Sequence, residues 1–191
     1  MKIGLFFGSF NPIHIGHLAI ANYMVEYSDL DEIWFVISPQ NPLKKKNTLL
    51  NEYDRLKMVE LALNNDQKLK PTDIEFSLPK PSYTIDTLTH LTERNPKNKF
   101  ILIAGTDNFK TFHKWKNYEE ILKQYQLYVY PRPGYELNEY VHHDNIKLVN
   151  APLMEISSSF IREAIKNNKD IRYFLPNKVY EYIEKMNFYK N

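Results

Sequence analysis

Residues 3–25 run without a break from an apolar stretch, Ile3-Gly4-Leu5-Phe6-Phe7, through a turn holding Gly8, Ser9, Asn11 and Pro12, into Leu18-Ala19-Ile20-Ala21-Asn22-Tyr23-Met24-Val25. A short apolar run without polar alternation fits a buried strand, the turn formers end it, and the last stretch reads as a helix. Strand, tight turn and helix in that order aim backbone N–H groups and the positive end of a helix dipole at one crevice. A buried strand needs other elements packed over it, so this stretch constrains the fold more than any other.

The alternation continues along the chain. Further strands are expected at 33–37, 100–104, 127–130 and 146–149, and another at Ile74-Glu75-Phe76. Helices are expected at 15–28, at 52–64 behind an Asn51 cap, from Ser82-Tyr83-Thr84 to about Glu93, around 107–113, at 117–124, from Ser157 through Ile165, and from Pro176 or Asn177 through Ile183. Strands and helices at this spacing predict βαβ units and a doubly wound, mainly parallel α/β sheet with helices on both faces. With 191 residues the chain reads as one domain, 1–191, whose C-terminal helical part begins near residue 157. Ligands in such sheets sit beyond the carboxyl ends of the strands where strand order reverses. The turns at 8–14, 38–46, 105–109 and 131–134 should therefore share one rim.

Composition narrows the partners. The net charge of +2 is too small to argue for nucleic acid or a membrane surface, though it suits a local basic pocket for a small anion. The absence of cysteine excludes disulfides and thiolate metal sites. No run approaches the ~18 apolar residues of a membrane span, and no secretory leader is evident, so a cytoplasmic enzyme is expected. His142-His143-Asp144 reads as a surface loop because adjacent histidines point apart. No protein metal cage is expected, and oligomeric state is not readable.

Several constellations carry chemistry. His14 and His17 stand one helical turn apart at the start of the first helix, each able to donate an N–H to an anion and to be charged near neutral pH. Gly16 between them would let a ligand approach the backbone, and Ser9 precedes them in the turn. Ile156-Ser157-Ser158-Ser159-Phe160-Ile161-Arg162 puts hydroxyls at a helix start and an Arg one turn in, either an ordinary cap or a phosphate cradle. Lys44, Lys45 and Lys46 follow a strand end, where one ammonium can reach a phosphate. Arg55 is open between a helix-surface residue and a site residue. Ser82, Thr84 and Asp86 read as capping chemistry, and Trp115 supplies an aromatic plane for stacking or for the core.

Gly8-Ser9-Phe10-Asn11-Pro12-Ile13-His14-Ile15-Gly16-His17 resembles the His-x-Gly-His signature of the nucleotidylyltransferase superfamily, and within it the bacterial nicotinate mononucleotide adenylyltransferases. Ile156 to Arg162 resembles the superfamily's second motif, Ile-Ser-Ser-Ser/Thr-x-Ile-Arg. Pro42-Leu43-Lys44 is similar to the family's Pro-His-Lys/Arg, with Leu43 in place of His. Ser82-Tyr83-Thr84-Ile85-Asp86-Thr87 and Gly105-Thr106-Asp107…Trp115 resemble its pyridine-nucleotide segments. Two departures stand out: Phe7 where the family usually has Gly, leaving less room beside the phosphates, and Asn11 where it often has Asp.

The resemblance implies a Rossmann-like fold and the transfer of the adenylyl group of ATP to nicotinate mononucleotide, giving nicotinate adenine dinucleotide and pyrophosphate. It implies catalytic roles for His14, His17 and Arg162, and ATP or phosphate binding by Gly8, Ser9, Phe10, Gly16, Lys44, Gly105, Asp107, Ile156, Ser157 and Ser158. It places the mononucleotide against Ser82, Tyr83, Thr84 and Trp115. Mg2+ would enter with ATP, held mainly by substrate and water. Three alternatives stay open: a relative acting on nicotinamide mononucleotide, one acting on phosphopantetheine or glycerol phosphate, and a non-catalytic nucleotide-binding module.

Overall fold

The computed structural model describes residues 1–39 and 49–190. Six strands, β1 (Lys2–Gly8), β2 (Glu32–Ile37), β3 (Leu69–Thr72), β4 (Lys99–Gly105), β5 (Gln126–Tyr130) and β6 (Ile146–Leu148), form one sheet in the order β3-β2-β1-β4-β5-β6. Every neighbouring pair is parallel. The chain starts at the centre, builds outward to β3, then crosses back to β4 on the other side of β1. The carboxyl ends of β1 and β4 therefore flank the point where strand order reverses, the crevice in which such sheets bind ligands.

Helices cover both faces, as the alternation predicts. On one face α1 (Ile15–Glu26), α2 (Glu52–Leu63), α6 (Ser158–Lys166) and α7 (Asn177–Met186) bury Ile20, Met24, Met58, Val59, Ile161 and Val179 in a core shared with Phe6 of β1. On the other face α3 (Thr84–Arg94) and α5 (Tyr118–Gln124) bury Ile85, Leu88, Leu91 and Ile121 against Ile3 and Leu5. Successive side chains of a strand point to opposite faces, so β1 serves both cores and is buried throughout its middle. Asn51 caps α2 by accepting the Tyr53 N–H at 2.9 Å, and the left-handed Asn64 ends it.

Three local expectations differ. The strand expected at Ile74–Phe76 is a 3-10 turn, Ile74–Ser77, and the strand itself lies earlier, at Leu69–Thr72. Pro71 disguises it: proline reads against a strand, yet an edge strand with only β2 as neighbour tolerates it. The helix expected around 107–113 divides into a short α4 (Thr106–Phe109) and a 3-10 turn, Phe112–Lys114. The first helix stops at Glu26 rather than near residue 28. His142 and His143 lie at the end of a 3-10 turn on the surface, as expected. Among the described residues no helix is long and apolar enough to cross a membrane.

Candidate active site

Two cavities open at the carboxyl end of the sheet and share walls made by Phe6, Phe7, Gly8, Ser9, Asp107, Asn108 and Tyr130. The first, about 460 Å³, is lined by His14, Gly16, His17, Ile156, Ser157, Ser158 and Arg162. The second, about 720 Å³, is lined by Ser82, Tyr83, Thr84, Gly105 and Trp115. Both volumes fall within the range of roughly 300–1,000 Å³ usual for small-molecule sites. The expected rim thus forms from the turns after β1, β4 and β5, with Ser38 after β2. Lys44, Lys45 and Lys46 fall outside the described residues.

The turn after β1 is held from several sides. Arg55 donates from Nη1 to the Ser9 carbonyl at 2.7 Å, Arg162 from Nη1 to the Asn11 carbonyl at 2.8 Å, and Ser158 from Oγ to the Pro12 carbonyl at 2.9 Å. The Asn11 side-chain oxygen accepts the Tyr189 hydroxyl at 2.8 Å and the Leu50 N–H at 3.4 Å. The two signature segments, separated by most of the chain, are therefore bonded directly to one another. Asn11 is a buried structural anchor at this junction. Phe10 turns back through a positive φ of 44° and is buried, with its ring edge-on to His17 at 5.2 Å. It buttresses His17 from beneath while forming part of the cavity wall.

His14 precedes α1 in an extended conformation, and its N–H donates to Nδ1 of His17 at 3.3 Å. The two rings stack with centroids 3.7 Å apart. With Nδ1 accepting, a neutral His17 carries its proton on Nε2. A Cβ added at Gly16 would stand 3.1 Å from Nδ1 of His14 and 3.6 Å from Cβ of Ile156. The glycine thus makes room for the His14 ring, and it also lines the first cavity.

His14 is 4% exposed, and its Nδ1 is buried without a hydrogen-bond partner. Burial, and secondarily the charge of Arg132, lower its pKa from 6.5 to about 4. The expectation that both imidazoles are charged near neutral pH is therefore corrected: His14 is neutral in the free protein, because its ring has left water.

In α6, Ser157 is the N-cap and accepts the Phe160 N–H at 3.2 Å. Arg162 also donates from Nη2 to Oγ of Ser159 at 3.2 Å. Ser158 and Arg162 thus line the cavity and brace the opposite turn at once. Arg132, just after β5, completes this wall. Its Nη1 donates to the Met154 carbonyl at 2.7 Å, its N–H to Oγ1 of Thr106 at 2.9 Å, and its Nε lies 4.0 Å from Asp107. A Cβ at Gly105 would run into the Asp107 carboxylate and stand 2.9 Å from Cγ of Arg132, so a side chain there would displace both. Sequence reading placed the Pro131–Gly134 turn on the rim without singling out Arg132.

Arg55 is neither of the two things expected of it. It is fully buried, and besides the Ser9 carbonyl it donates to those of Ser38 (2.8 Å), Pro39 (3.0 Å) and Leu50 (3.0 Å). It ties the chain leaving β1 to the chain leaving β2.

In the second cavity Tyr83 and Thr84 sit at the start of α3, where the first backbone N–H groups lack intrahelical acceptors. Trp115 packs on Phe112 with centroids 5.2 Å apart and lines the cavity, so it is both core and wall. Ser82 lines the same cavity, but its hydroxyl donates to Oε2 of Glu75 at 2.8 Å. A serine has one hydroxyl proton, and that of Ser82 is taken up by Glu75, so Ser82 lies in the wall where the mononucleotide was expected with only its hydroxyl oxygen left as an acceptor. Among the described residues no group of three or more His, Asp or Glu side chains is placed to hold a metal. The first cavity instead offers imidazoles, hydroxyls, two guanidinium groups and a helix N-terminus, a donor set suited to a polyphosphate.

Known proteins resemble this chain in sequence and in fold. Residues 5–164 match the family model described as cytidylyltransferase-like. A probable nicotinate-nucleotide adenylyltransferase of Flavobacterium psychrophilum is 57% identical over the whole of both chains. One of Bacteroides thetaiotaomicron is 50% identical over 96% of this chain and 91% of its own. Among solved structures, Plasmodium falciparum nicotinic acid mononucleotide adenylyltransferase complexed with NaAD superposes with a TM-score of 0.85 at 24% identity, covering 98% of this chain and 97% of that one. That last likeness supports the fold.

Proposed function

The chain belongs to the nicotinate-nucleotide adenylyltransferase family, within the cytidylyltransferase-like group, and on that premise we propose that it transfers the adenylyl group of ATP to nicotinate mononucleotide, releasing pyrophosphate and nicotinate adenine dinucleotide. The observation that carries this reading is the convergence of the His14–His17 turn with the start of α6 on one cavity that opens into a second, aromatic-walled one. A dinucleotide needs two such adjoining lobes.

In this proposal the triphosphate occupies the first cavity and the mononucleotide the second. The mononucleotide's phosphate oxygen attacks the α-phosphorus in line; the new O–P bond forms as the bond to the β-phosphate oxygen breaks, and pyrophosphate leaves with that electron pair. The attacking phosphate is already anionic, so no protein nucleophile or strong base is required. Catalysis rests on positioning and on donors aimed at the developing charge.

His14, His17, Ser9 and the N-terminus of α1 serve the triphosphate. Ser157, Ser158 and the remaining N–H donors of Arg162 face its β and γ end. The carbonyls and side chains around Gly105 and Asp107 flank the ribose side, Trp115 and Tyr83 flank the pyridine, and Thr84 with the first N–H groups of α3 faces its carboxylate. Lys44 is assigned to phosphate neutralisation on the family resemblance. Mg2+ enters as part of the ATP substrate, on phosphate oxygens and water. Because both substrates are metabolites of the cytoplasm, that is the proposed location.

The test is pyrophosphate release with ATP and each of nicotinate mononucleotide, nicotinamide mononucleotide and phosphopantetheine. Nicotinate mononucleotide is expected to give the highest kcat/KM. ATP binding without release from any acceptor would make the protein a nucleotide-binding module instead, and release chiefly with phosphopantetheine would move the substrate.

A further inference from the structure

Glu75 is the one acidic residue among the buried polar groups of the described chain, 2% exposed, and it forms part of the wall of the second cavity. Its Oε2 accepts the Ser82 hydroxyl and its Oε1 the Thr87 hydroxyl, both at 2.8 Å, and the Ser38 hydroxyl also bonds to it. These donors come from three separate places: the end of β2, the residue two before α3, and the first turn of α3. A buried carboxylate left without donors would be costly, so each hydroxyl is held in place by the acceptor as much as the acceptor by the hydroxyls. Thr87 is fully buried, and Tyr83 and Thr84, between Ser82 and Thr87, line the cavity. Ser38 is also the residue whose carbonyl Arg55 holds, together with that of Ser9 in the neighbouring cavity.

We propose that Glu75 is a positioning residue for the mononucleotide: its carboxylate gathers Ser38, Ser82 and Thr87 and thereby aims Tyr83, Thr84 and the N-terminus of α3 into the second cavity. This rests on reading that cavity as the mononucleotide lobe. Although Glu75 borders the cavity, it is 2% exposed and both its oxygens are taken up by hydroxyls, so its effect on the ligand passes through the segment it orders. Replacing it by glutamine keeps its shape but offers one acceptor oxygen and an NH2 group, which forces at least one hydroxyl to turn its proton elsewhere.

The test compares Glu75→Gln, Thr87→Val and Thr87→Ser. Each is assayed for KM of both substrates and, by calorimetric titration, for binding of nicotinate mononucleotide, with folding checked by circular dichroism. Glu75→Gln and Thr87→Val are expected to raise the mononucleotide KM and Kd by about tenfold, the scale of one lost hydrogen bond to a charged group. KM for ATP should be unchanged, and Thr87→Ser, which keeps the hydroxyl, should behave as wild type. Thr87 stands outside the cavity wall, so weakening by Thr87→Val must be relayed; the Thr87 pair decides the matter if Glu75→Gln fails to fold. An unchanged mononucleotide KM, or an equal rise for both substrates, overturns the proposal. If wild type binds the mononucleotide but releases no pyrophosphate, the functional reading falls, and the titrations still judge Glu75; if wild type does not bind it, both fall.

Discussion

Arg55→Met removes a guanidinium that is fully buried and leaves its apolar stem roughly filled. Four carbonyl oxygens, those of Ser9, Ser38, Pro39 and Leu50, then lose their donor. At about 1 kcal/mol for each buried or part-buried acceptor left unpaired, the gross loss is about 4 kcal/mol. Relief from keeping a cation out of water offsets part of this, so a net loss of about 3 kcal/mol is expected, near the upper end for a single substitution. In a chain of this size that lowers the melting temperature by roughly 10 °C. Arg55→Lys should lose about half as much, because an ammonium has three donors and no planar fork to span two turns. Urea unfolding followed by circular dichroism, with the m-value unchanged, measures both. Turnover of the folded Arg55→Met protein should also drop, since Ser9 borders the first cavity. A loss below about 1 kcal/mol, or equal stability of the Lys and Arg proteins, would refute the idea that these four bonds hold the two turns together.

Three further outcomes are expected. His17→Ala should lower kcat by at least about 100-fold, the scale for one preorganised donor at a developing charge; folded protein with turnover within about threefold of wild type would remove His17 from the mechanism. Trp115→Ala should raise KM for the mononucleotide more than for ATP, and equal effects would count against stacking on the pyridine. The third concerns pH. His14 titrates at about 4 when folded and near 6.5 when unfolded, so between those values the unfolded chain binds more protons. The stability due to neutral His14 is complete above pH 6.5 and is lost as pH falls toward 4, about 3 kcal/mol in all. His14→Gln should flatten that part of the stability profile in urea titrations at stepped pH; a slope identical to wild type would show that the ring does not stay neutral.

Much of the fold was legible in the chain. Strand runs buried on both faces carry no polar alternation, so the three central strands and the helices between them could be read from period and punctuation alone. The edge strand β3 could not: four residues with a proline owe their pairing to β2, not to their own preference. Ile74-Glu75-Phe76 misled for the same reason, since its apolar ends resemble a strand while Glu75 turns inward to hydroxyls that only the folded chain brings near.

For the site, the residue types and spacing of 8–17, together with the resemblance of 8–17 and 156–162 to two family motifs, singled out the two segments that the structure brings to one cavity. Which groups support those donors was decided by tertiary structure. Arg55 and Arg132 lie far along the chain from most of what they hold, Glu75 gathers hydroxyls from both near and distant segments, and an arginine or glutamate looks the same in sequence whether it faces water or buried partners. The neutral state of His14 likewise depends on how much water the fold removes from the ring. Local sequence sets period, turns and caps; burial and long-range hydrogen bonds depend on what arrives from elsewhere in the chain, and no stretch of sequence contains that information by itself.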